Sequence, residues 1–177
     1  STGPPVESDG RERFRSPLVA PPGSIEPRMS SNMTTTNEAV KNWVDEVTAL
    51  TKPASVHWCT GTKKEYDSLI AQMVESGLME ELNQADWPGC YYHRSDPQDV
   101  ARVEHLTFVC TPKKDDAGPN NNWEEPAVMR KKMLGLFDGC MKGRTMYVVP
   151  YCMGPISSPY SKVGIEITDS PYVAANM

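Results

Sequence analysis

The strongest constraint on the fold is a pair of β-rich runs late in the chain, TMYVVPYCM at 145–153 and KVGIEIT at 162–168. The loop between them, GPISSP, is built from Gly, Pro and Ser, which are typical of turns. Runs of β-branched and aromatic residues bounded by such turn signals predict strands. The last third of the chain is therefore expected to form part of a sheet.

A first helix is predicted from Asn37 to residue 51. Asn is a favoured N-cap residue, and Pro53 ends the helical pattern. The run SVHWC at 55–59 then predicts a short strand. Apolar residues recur at helical spacing and would form one inward face: Val40, Trp43, Val44, Val47 and Leu50.

A second helix is predicted over KKEYDSLIAQMVESG, residues 63–77. Thr62 and Glu65 have the spacing of a capping box, and Gly77 is placed to end the helix. The inward positions follow the same helical period: Tyr66, Leu69, Ile70, Met73 and Val74.

The remaining elements alternate in type. WPGCYYHRS predicts a turn plus a strand, and PQDVARVE, after a cap at Asp96, predicts a short helix or turn. HLTFVC predicts a strand, TPKKDDAGPNNN a loop and EEPAVMRKKMLGLF a helix. Ser170, followed by Pro171, caps the start of a last helix. Helices and strands intermingle, which indicates an α/β or α+β fold with a mixed sheet and flanking helices.

The domain organisation has two parts. Residues 1–32 hold six of the sixteen prolines and no periodic apolar pattern, so we expect this segment to be disordered. Met33 opens MTTTNEAV, which resembles an ordinary protein start. The upstream segment is then either a tail or sequence extraneous to the functional protein, and residues 33–177 form one domain.

Composition argues against several classes of protein. The formal net charge is -5, which disfavours non-specific nucleic-acid binding. No apolar run approaches the roughly 18 residues of a membrane helix. The cysteines are odd in number, widely spaced and without a C-x-x-C pair, which argues against a disulfide framework or a zinc site and indicates free thiols in a reducing, cytoplasmic compartment. They are Cys59, Cys90, Cys110, Cys140 and Cys152.

The histidines offer two hypotheses. His57 and Cys59 are two residues apart on a predicted strand and so share a face, which permits metal ligation. No second ligand pair supports that interpretation, and buried packing is favoured. His93 and His105 lie near several acids, so a histidine–carboxylate pair is conceivable, although a polar surface turn is favoured.

Two basic positions could bind anions. Lys142 and Arg144 flank a glycine, but the phosphate-loop pattern G-x-x-x-x-G-K-[ST] does not surround them, so a solvated strand edge is favoured. Arg102 lies between Ala101 and Val103 in DVARVE. It could bind a carboxylate through two parallel hydrogen bonds or form a surface salt bridge.

Three stretches of the sequence resemble a known family: DPQDVARVE at 96–104, GCMKGRTMYVVP at 139–150 and MGPISSPYSKVGIEITDSPYV at 153–173. In this order they resemble the N-terminal domain of GTP-dependent phosphoenolpyruvate carboxykinases, and the likeness runs from about Trp43 to Met177. It implies an α/β fold of that type. It also implies that 33–177 is a partial substrate-binding domain, incomplete at its C-terminus and without the nucleotide-binding domain.

The resemblance implies an activity. Family members interconvert oxaloacetate and phosphoenolpyruvate in gluconeogenesis, using GTP as phosphoryl donor and a divalent ion, usually manganese or else magnesium. Arg102 corresponds to a residue that binds the substrate carboxylate. Lys142 and Arg144 receive no phosphate role.

The resemblance also implies what this chain lacks. The nucleotide loop, the metal ligands and the catalytic residues correspond to downstream sequence, so the chain alone is expected to bind neither GTP nor metal and to be inactive. The expected partners are small-molecule substrates, not nucleic acid or membrane, and a monomer is expected. The alternative hypothesis is a non-catalytic module that keeps the scaffold to bind an anion or a protein.

Overall fold

The computed structural model describes residues 28–29, 35–96 and 103–177. Most of the segment 1–32 lies outside these ranges, as does most of the helix or turn predicted at 97–104. Arg102 is therefore not among the described residues. No helix within the described ranges has both the length and the apolar character needed to span a bilayer.

Helices and short strands alternate along the chain. The helices are α1 (Glu38–Thr51), α2 (Lys63–Glu75), α3 (Pro126–Phe137) and α4 (Pro171–Asn176). The strands are β1 (Arg28–Met29), β2 (Ser55–Trp58), β3 (Glu80–Glu81), β4 (Tyr91–Tyr92), β5 (Phe108–Val109), β6 (Asn122–Trp123), β7 (Thr145–Met153) and β8 (Lys162–Thr168).

The main sheet has the strand order β1-β2-β7-β8. The first three strands are parallel, with Ser55 opposite Thr145 and Trp58 opposite Val148. Strand β8 runs antiparallel to β7 and places Thr168 opposite Tyr147. The predicted mixed sheet with flanking helices is confirmed, and β7 and β8 have the bounds that their sequence runs predict.

The predicted helix caps are confirmed. Each cap depends on contacts within three residues, so both partners are visible in the local sequence. The Asn37 side chain accepts hydrogen bonds from the backbone N–H groups of Ala39 and Val40, at 3.0 and 3.4 Å. Ser170 Oγ accepts from the Val173 N–H at 3.3 Å. Each cap satisfies donors that the first helical turn leaves unpaired.

The core has one layer on each face of the sheet. Alternate residues of β2 and β7 point to opposite faces, so one set packs against α1 and the other against α2. The buried residues on the α1 side are Val44, Val56, Trp58, Met141, Met146 and Val148. Those on the α2 side are Cys59, Leu69, Ile70, Met73, Met79, Tyr147 and Val149.

Two residues predicted to face inward are exposed. Trp43 is 43% exposed, because α1 packs through Val44 and the preceding residue is rotated about 100° around the axis. Tyr66 is 44% exposed and instead lines an outer cavity with Tyr91. Helical spacing indicates which residues share a face, but the neighbouring element decides how wide the buried stripe is.

Candidate functional site

The segment that follows Arg102 is held by a side chain from another strand. Val103 precedes a single 3-10 turn at Glu104–Leu106. The Asn122 amide donates hydrogen bonds to the backbone carbonyls of Glu104 at 2.7 Å and Thr107 at 3.1 Å. This turn is therefore fixed against β6.

A polar cavity of about 890 Å³ opens beside this turn, and we call it the Glu104 cavity. Its walls offer a carboxylate, an imidazole, a hydroxyl and amide groups, which are suited to a small, strongly polar ligand. The asparagines that line it were predicted only as part of a loop, so their role was missed. The lining residues are Val103, Glu104, His105, Thr107 and 120–122.

Hydrogen bonds from side chains to the backbone hold the loop and the strand that carry residues 120–122 of this cavity. Asn121 donates to the Ala117 carbonyl at 2.7 Å. The Trp123 indole donates to the Thr111 carbonyl at 3.0 Å. Strands β5 and β6 pair in parallel over only two residues each. Polar contacts therefore shape the cavity more than apolar packing does.

Arg144 has a structural partner. Its guanidinium forms an ion pair with Asp169, with Nη2 2.7 Å from Oδ2, and donates a hydrogen bond to the Cys140 carbonyl. These contacts tie the turn before β7 to the turn after β8. They agree with the scaffold role that the resemblance implies for this position.

A second cavity, of about 580 Å³, lies between α2 and the sheet and is called the His57 cavity. Here His57 Nε2 is 2.6 Å from Glu65 Oε1. The other carboxylate oxygen, Oε2, accepts from the N–H groups of Thr60 and Gly61 at 2.7 and 2.8 Å. Within the described ranges, a histidine–carboxylate pair is formed by His57 and Glu65.

The electrostatics of this group depend on burial and hydrogen bonding. Burial raises the pKa of Glu65, but the hydrogen bonds from His57, Thr60 and Gly61 outweigh it and leave the pKa below its ordinary value. Glu65 is therefore ionised at neutral pH. Burial, with a contribution from the Glu65 charge, raises the pKa of the Cys59 thiol to about 11.

The sequence showed all three residues of this group, but they were assigned to two separate features. His57 and Cys59 were considered as a pair on one strand face, and Glu65 as half of a capping box. The loop 59–62 reverses the chain, so the first turn of α2 returns to the end of β2. One half of the predicted capping box forms, since Thr62 Oγ1 accepts from the Glu65 N–H at 3.3 Å. In the other half, the Glu65 carboxylate accepts from the N–H groups of Thr60 and Gly61 instead of that of Thr62.

His93 lies apart from this group. Its Nδ1–H donates to the Leu78 carbonyl at 2.8 Å, and its ring stacks on Tyr172 with centroids 4.3 Å apart. These contacts join β4 to α4 and give the ring a packing role.

Comparison with known proteins identifies the family. Residues 42–177 match the family described as the phosphoenolpyruvate carboxykinase N-terminal domain. The chain belongs to this family. The likeness inferred from the three sequence strings is confirmed, and the α/β architecture agrees with it.

Individual carboxykinases are similar over a comparable length of the chain. A phosphoenolpyruvate carboxykinase [GTP] from Anaeromyxobacter dehalogenans strain 2CP-C is 58% identical over 143 residues, which is 81% of this chain. The protein of that name from Chlamydia muridarum is 54% identical over 142 residues, 80% of this chain. In each case the chain spans 24% of the relative's length.

Proposed function

We propose that this chain is the substrate-binding part of a GTP-dependent phosphoenolpyruvate carboxykinase. The observation that carries the proposal is 58% identity over 143 residues to a protein of that name. The proposed reaction converts oxaloacetate and GTP to phosphoenolpyruvate, GDP and carbon dioxide, a step of gluconeogenesis. Its substrates are small molecules and its location is cytoplasmic, which agrees with the five free thiols.

Arg102 is the proposed ligand of the substrate carboxylate. Its guanidinium can donate two parallel hydrogen bonds to one carboxylate, which sets orientation as well as affinity. Support comes from the string DPQDVARVE and from the next residue, Val103, which lines the Glu104 cavity. The Asn120 amide and the His105 imidazole, which also line that cavity, would bind the remaining oxygens of the substrate.

These residues take little part in breaking and forming bonds in the proposed reaction. Loss of carbon dioxide breaks the bond from C3 of oxaloacetate to its carboxylate and leaves an enolate, whose oxygen then takes the γ-phosphoryl group of GTP. Orientation of the substrate can supply several kcal/mol of such a barrier, up to roughly 7–11. The proposed contribution of Arg102 is this orientation, because an anchored carboxylate fixes the plane of the departing group.

The family also implies a divalent ion, manganese or magnesium, which would stabilise negative charge on oxygen. Among the described residues, the group of three metal donors is His57, Cys59 and Glu65. A thiol does not suit these hard ions, which prefer oxygen ligands. Because the chain spans 24% of the relatives' length, we propose that the metal, GTP and catalytic residues of the family lie in the part of that length which this chain does not span, and that the chain alone is an inactive monomer.

The test is the substitution Arg102→Lys in the complete enzyme. An ammonium group cannot reproduce the paired hydrogen bonds, and a hydrogen bond to a charged group contributes about 1.5–3 kcal/mol. We expect the KM for oxaloacetate to rise by about 10- to 100-fold, as measured by steady-state kinetics.

The matched control is Arg130→Lys, an exposed arginine of α3, which should leave the KM unchanged. An unchanged KM in Arg102→Lys would refute the role of Arg102. The 177-residue chain alone should give no turnover in the same assay. A full-length protein that binds an anion but shows no GTP-dependent turnover would instead support the non-catalytic module.

A further inference from the structure

Three side chains of different chemistry meet beside the His57 cavity. They are the imidazole of His57, the thiol of Cys59 and the carboxylate of Glu65, and their donor atoms all lie within 4.8 Å of one another. His57 and Cys59 leave the same face of the chain because they are two residues apart in extended backbone. Glu65 reaches them from the first turn of α2.

We propose that His57, Cys59 and Glu65 form a binding site for Zn²⁺. One nitrogen, one sulfur and one oxygen donor are ligand types that Zn²⁺ takes together, with water able to complete a tetrahedron. The thiol favours zinc over manganese, magnesium or calcium, which prefer oxygen. The proposal rests on this donor group and not on the carboxykinase reaction.

The required rearrangement is small. Tetrahedral bonds of about 2.0–2.3 Å place neighbouring ligand atoms roughly 3.3–3.8 Å apart. His57 Nε2 and Glu65 Oε1, now 2.6 Å apart, would therefore separate by about 1 Å. Atoms at the 4.8 Å limit of the group would approach by a similar amount. Rotation of the side chains can supply both shifts.

Hydrogen bonds to the surroundings already position two of the three ligands, Glu65 and Cys59. Glu65 Oε2 is occupied by the N–H groups of Thr60 and Gly61, which leaves Oε1 directed at His57. The Cys59 backbone N–H donates to the Val148 carbonyl at 2.9 Å and so extends the sheet pairing. Ligating carboxylates in metal sites are commonly hydrogen-bonded in this way.

The site also has an entry path. The side chain of His57 is 44% exposed, whereas that of Glu65 is 12% exposed and Cys59 is buried. An ion would meet the imidazole first. On binding, the hydrogen between Nε2 and Oε1 moves through solvent to Nδ1, so that the neutral imidazole ligates Zn²⁺ through Nε2, and the thiol proton passes to water.

The first measurement uses one equivalent of Cd²⁺, a thiolate-binding analogue of Zn²⁺, added to the 177-residue chain. The unmodified chain should show the ultraviolet charge-transfer band of a cadmium–thiolate bond. Cys59→Ser should abolish the band. The matched control is Cys110→Ser, an exposed cysteine outside the group, which should retain it.

The second measurement is the Zn²⁺ affinity by titration calorimetry. Cys59→Ser and His57→Gln should each lower it by at least about 10-fold, since even the outer partners of metal ligands contribute 10- to 100-fold. His57 is partly exposed, so His57→Gln remains a decisive test if Cys59→Ser does not fold. A cadmium band that survives Cys59→Ser, or a Zn²⁺ affinity unchanged in His57→Gln, would overturn the site.

Discussion

Two regions of this chain are stabilised in different ways. The sheet region, residues 35–81 and 139–177, contains the buried layers on both faces of the main sheet. The connecting region, residues 103–137, contributes only Ala117 to the buried residues of the described chain. Seven of its large apolar side chains are exposed: Leu106, Phe108, Val128, Met133, Leu134, Leu136 and Phe137.

The sheet region therefore serves as the scaffold, and the connecting region contains the candidate site. Full burial of a large apolar side chain contributes about 1.5–3 kcal/mol, and the sheet region has many such side chains. The connecting region depends on hydrogen bonds such as those of Asn121, Asn122 and Trp123, each contributing about 0.5–1.5 kcal/mol. The Glu104 cavity lies in this second region, where local opening is easier.

At the junction of the two regions, residues 138–139, the turn that follows α3 contacts the end of α1. Lys52 Nζ lies 2.5 Å from Asp138 Oδ1, and the Gly139 N–H donates to the Leu50 carbonyl at 2.8 Å. This junction aligns α3 with α1 while most of α3 remains solvent-exposed. Three measurements can test the contrast.

The largest expected effect is in amide hydrogen exchange. Amides of Met146–Val149 in β7 should exchange only through near-global opening, since both faces of the strand are covered. Amides of the connecting region should exchange through local openings of much lower free energy. We expect protection factors to differ by at least about 100-fold, or about 2.7 kcal/mol. Equal protection in both regions would contradict the comparison.

The second-largest expected effect is the loss of unfolding free energy when a core side chain is truncated. Met146 is fully buried, with the Thr51 hydroxyl 3.9 Å from its sulfur. Met146→Ala should lower the free energy of unfolding by about 2–5 kcal/mol. Leu136→Ala, at a side chain 68% exposed, should change it by no more than about 0.5 kcal/mol. Urea unfolding measures both, and similar losses would show that α3 has an apolar partner.

The smallest expected effect is on Tm, when the ion pair between Lys52 and Asp138 at the junction is removed. The hydrogen bond and charge of Lys52 hold the pKa of Asp138 below its ordinary value. A depressed pKa contributes stability above about pH 4 that is lost as the pH falls through the folded-state pKa. Asp138→Asn should therefore lower Tm slightly at pH 6, and the difference from the unmodified chain should vanish near pH 2. A difference that grows on acidification would contradict this sign.

Local interactions were the predictable part of this protein. The caps at Asn37, Thr62 and Ser170 involve atoms within three residues of each other, so the sequence contains both partners. The bounds of β7 and β8 were predictable for the same reason, because turn residues border β-rich runs. The family could also be predicted, since long strings such as GCMKGRTMYVVP occur rarely by chance.

Long-range proximity was not predictable. Nothing in the local pattern indicates that Glu65 contacts His57, that Arg144 pairs with Asp169, or that Asn122 spans back to Glu104. Trp43 and Tyr66 also met every periodic criterion for burial and are exposed. Burial and partner choice depend on which surfaces the packed elements bring together.

The amino-acid order alone therefore determined the helix caps, the bounds of β7 and β8, which faces are apolar, and which family the chain joins. It did not indicate that HLTFVC, predicted as a strand, begins within the 3-10 turn Glu104–Leu106 and pairs only at Phe108–Val109. The folded structure decided the strand order β1-β2-β7-β8, the depth of each apolar face and the meeting of three metal donors beside α2. The physical reason is the sequence separation of the interacting groups, since a cap or a turn is complete within a few residues. A cavity or a ligand group requires segments that only the packed sheet brings together.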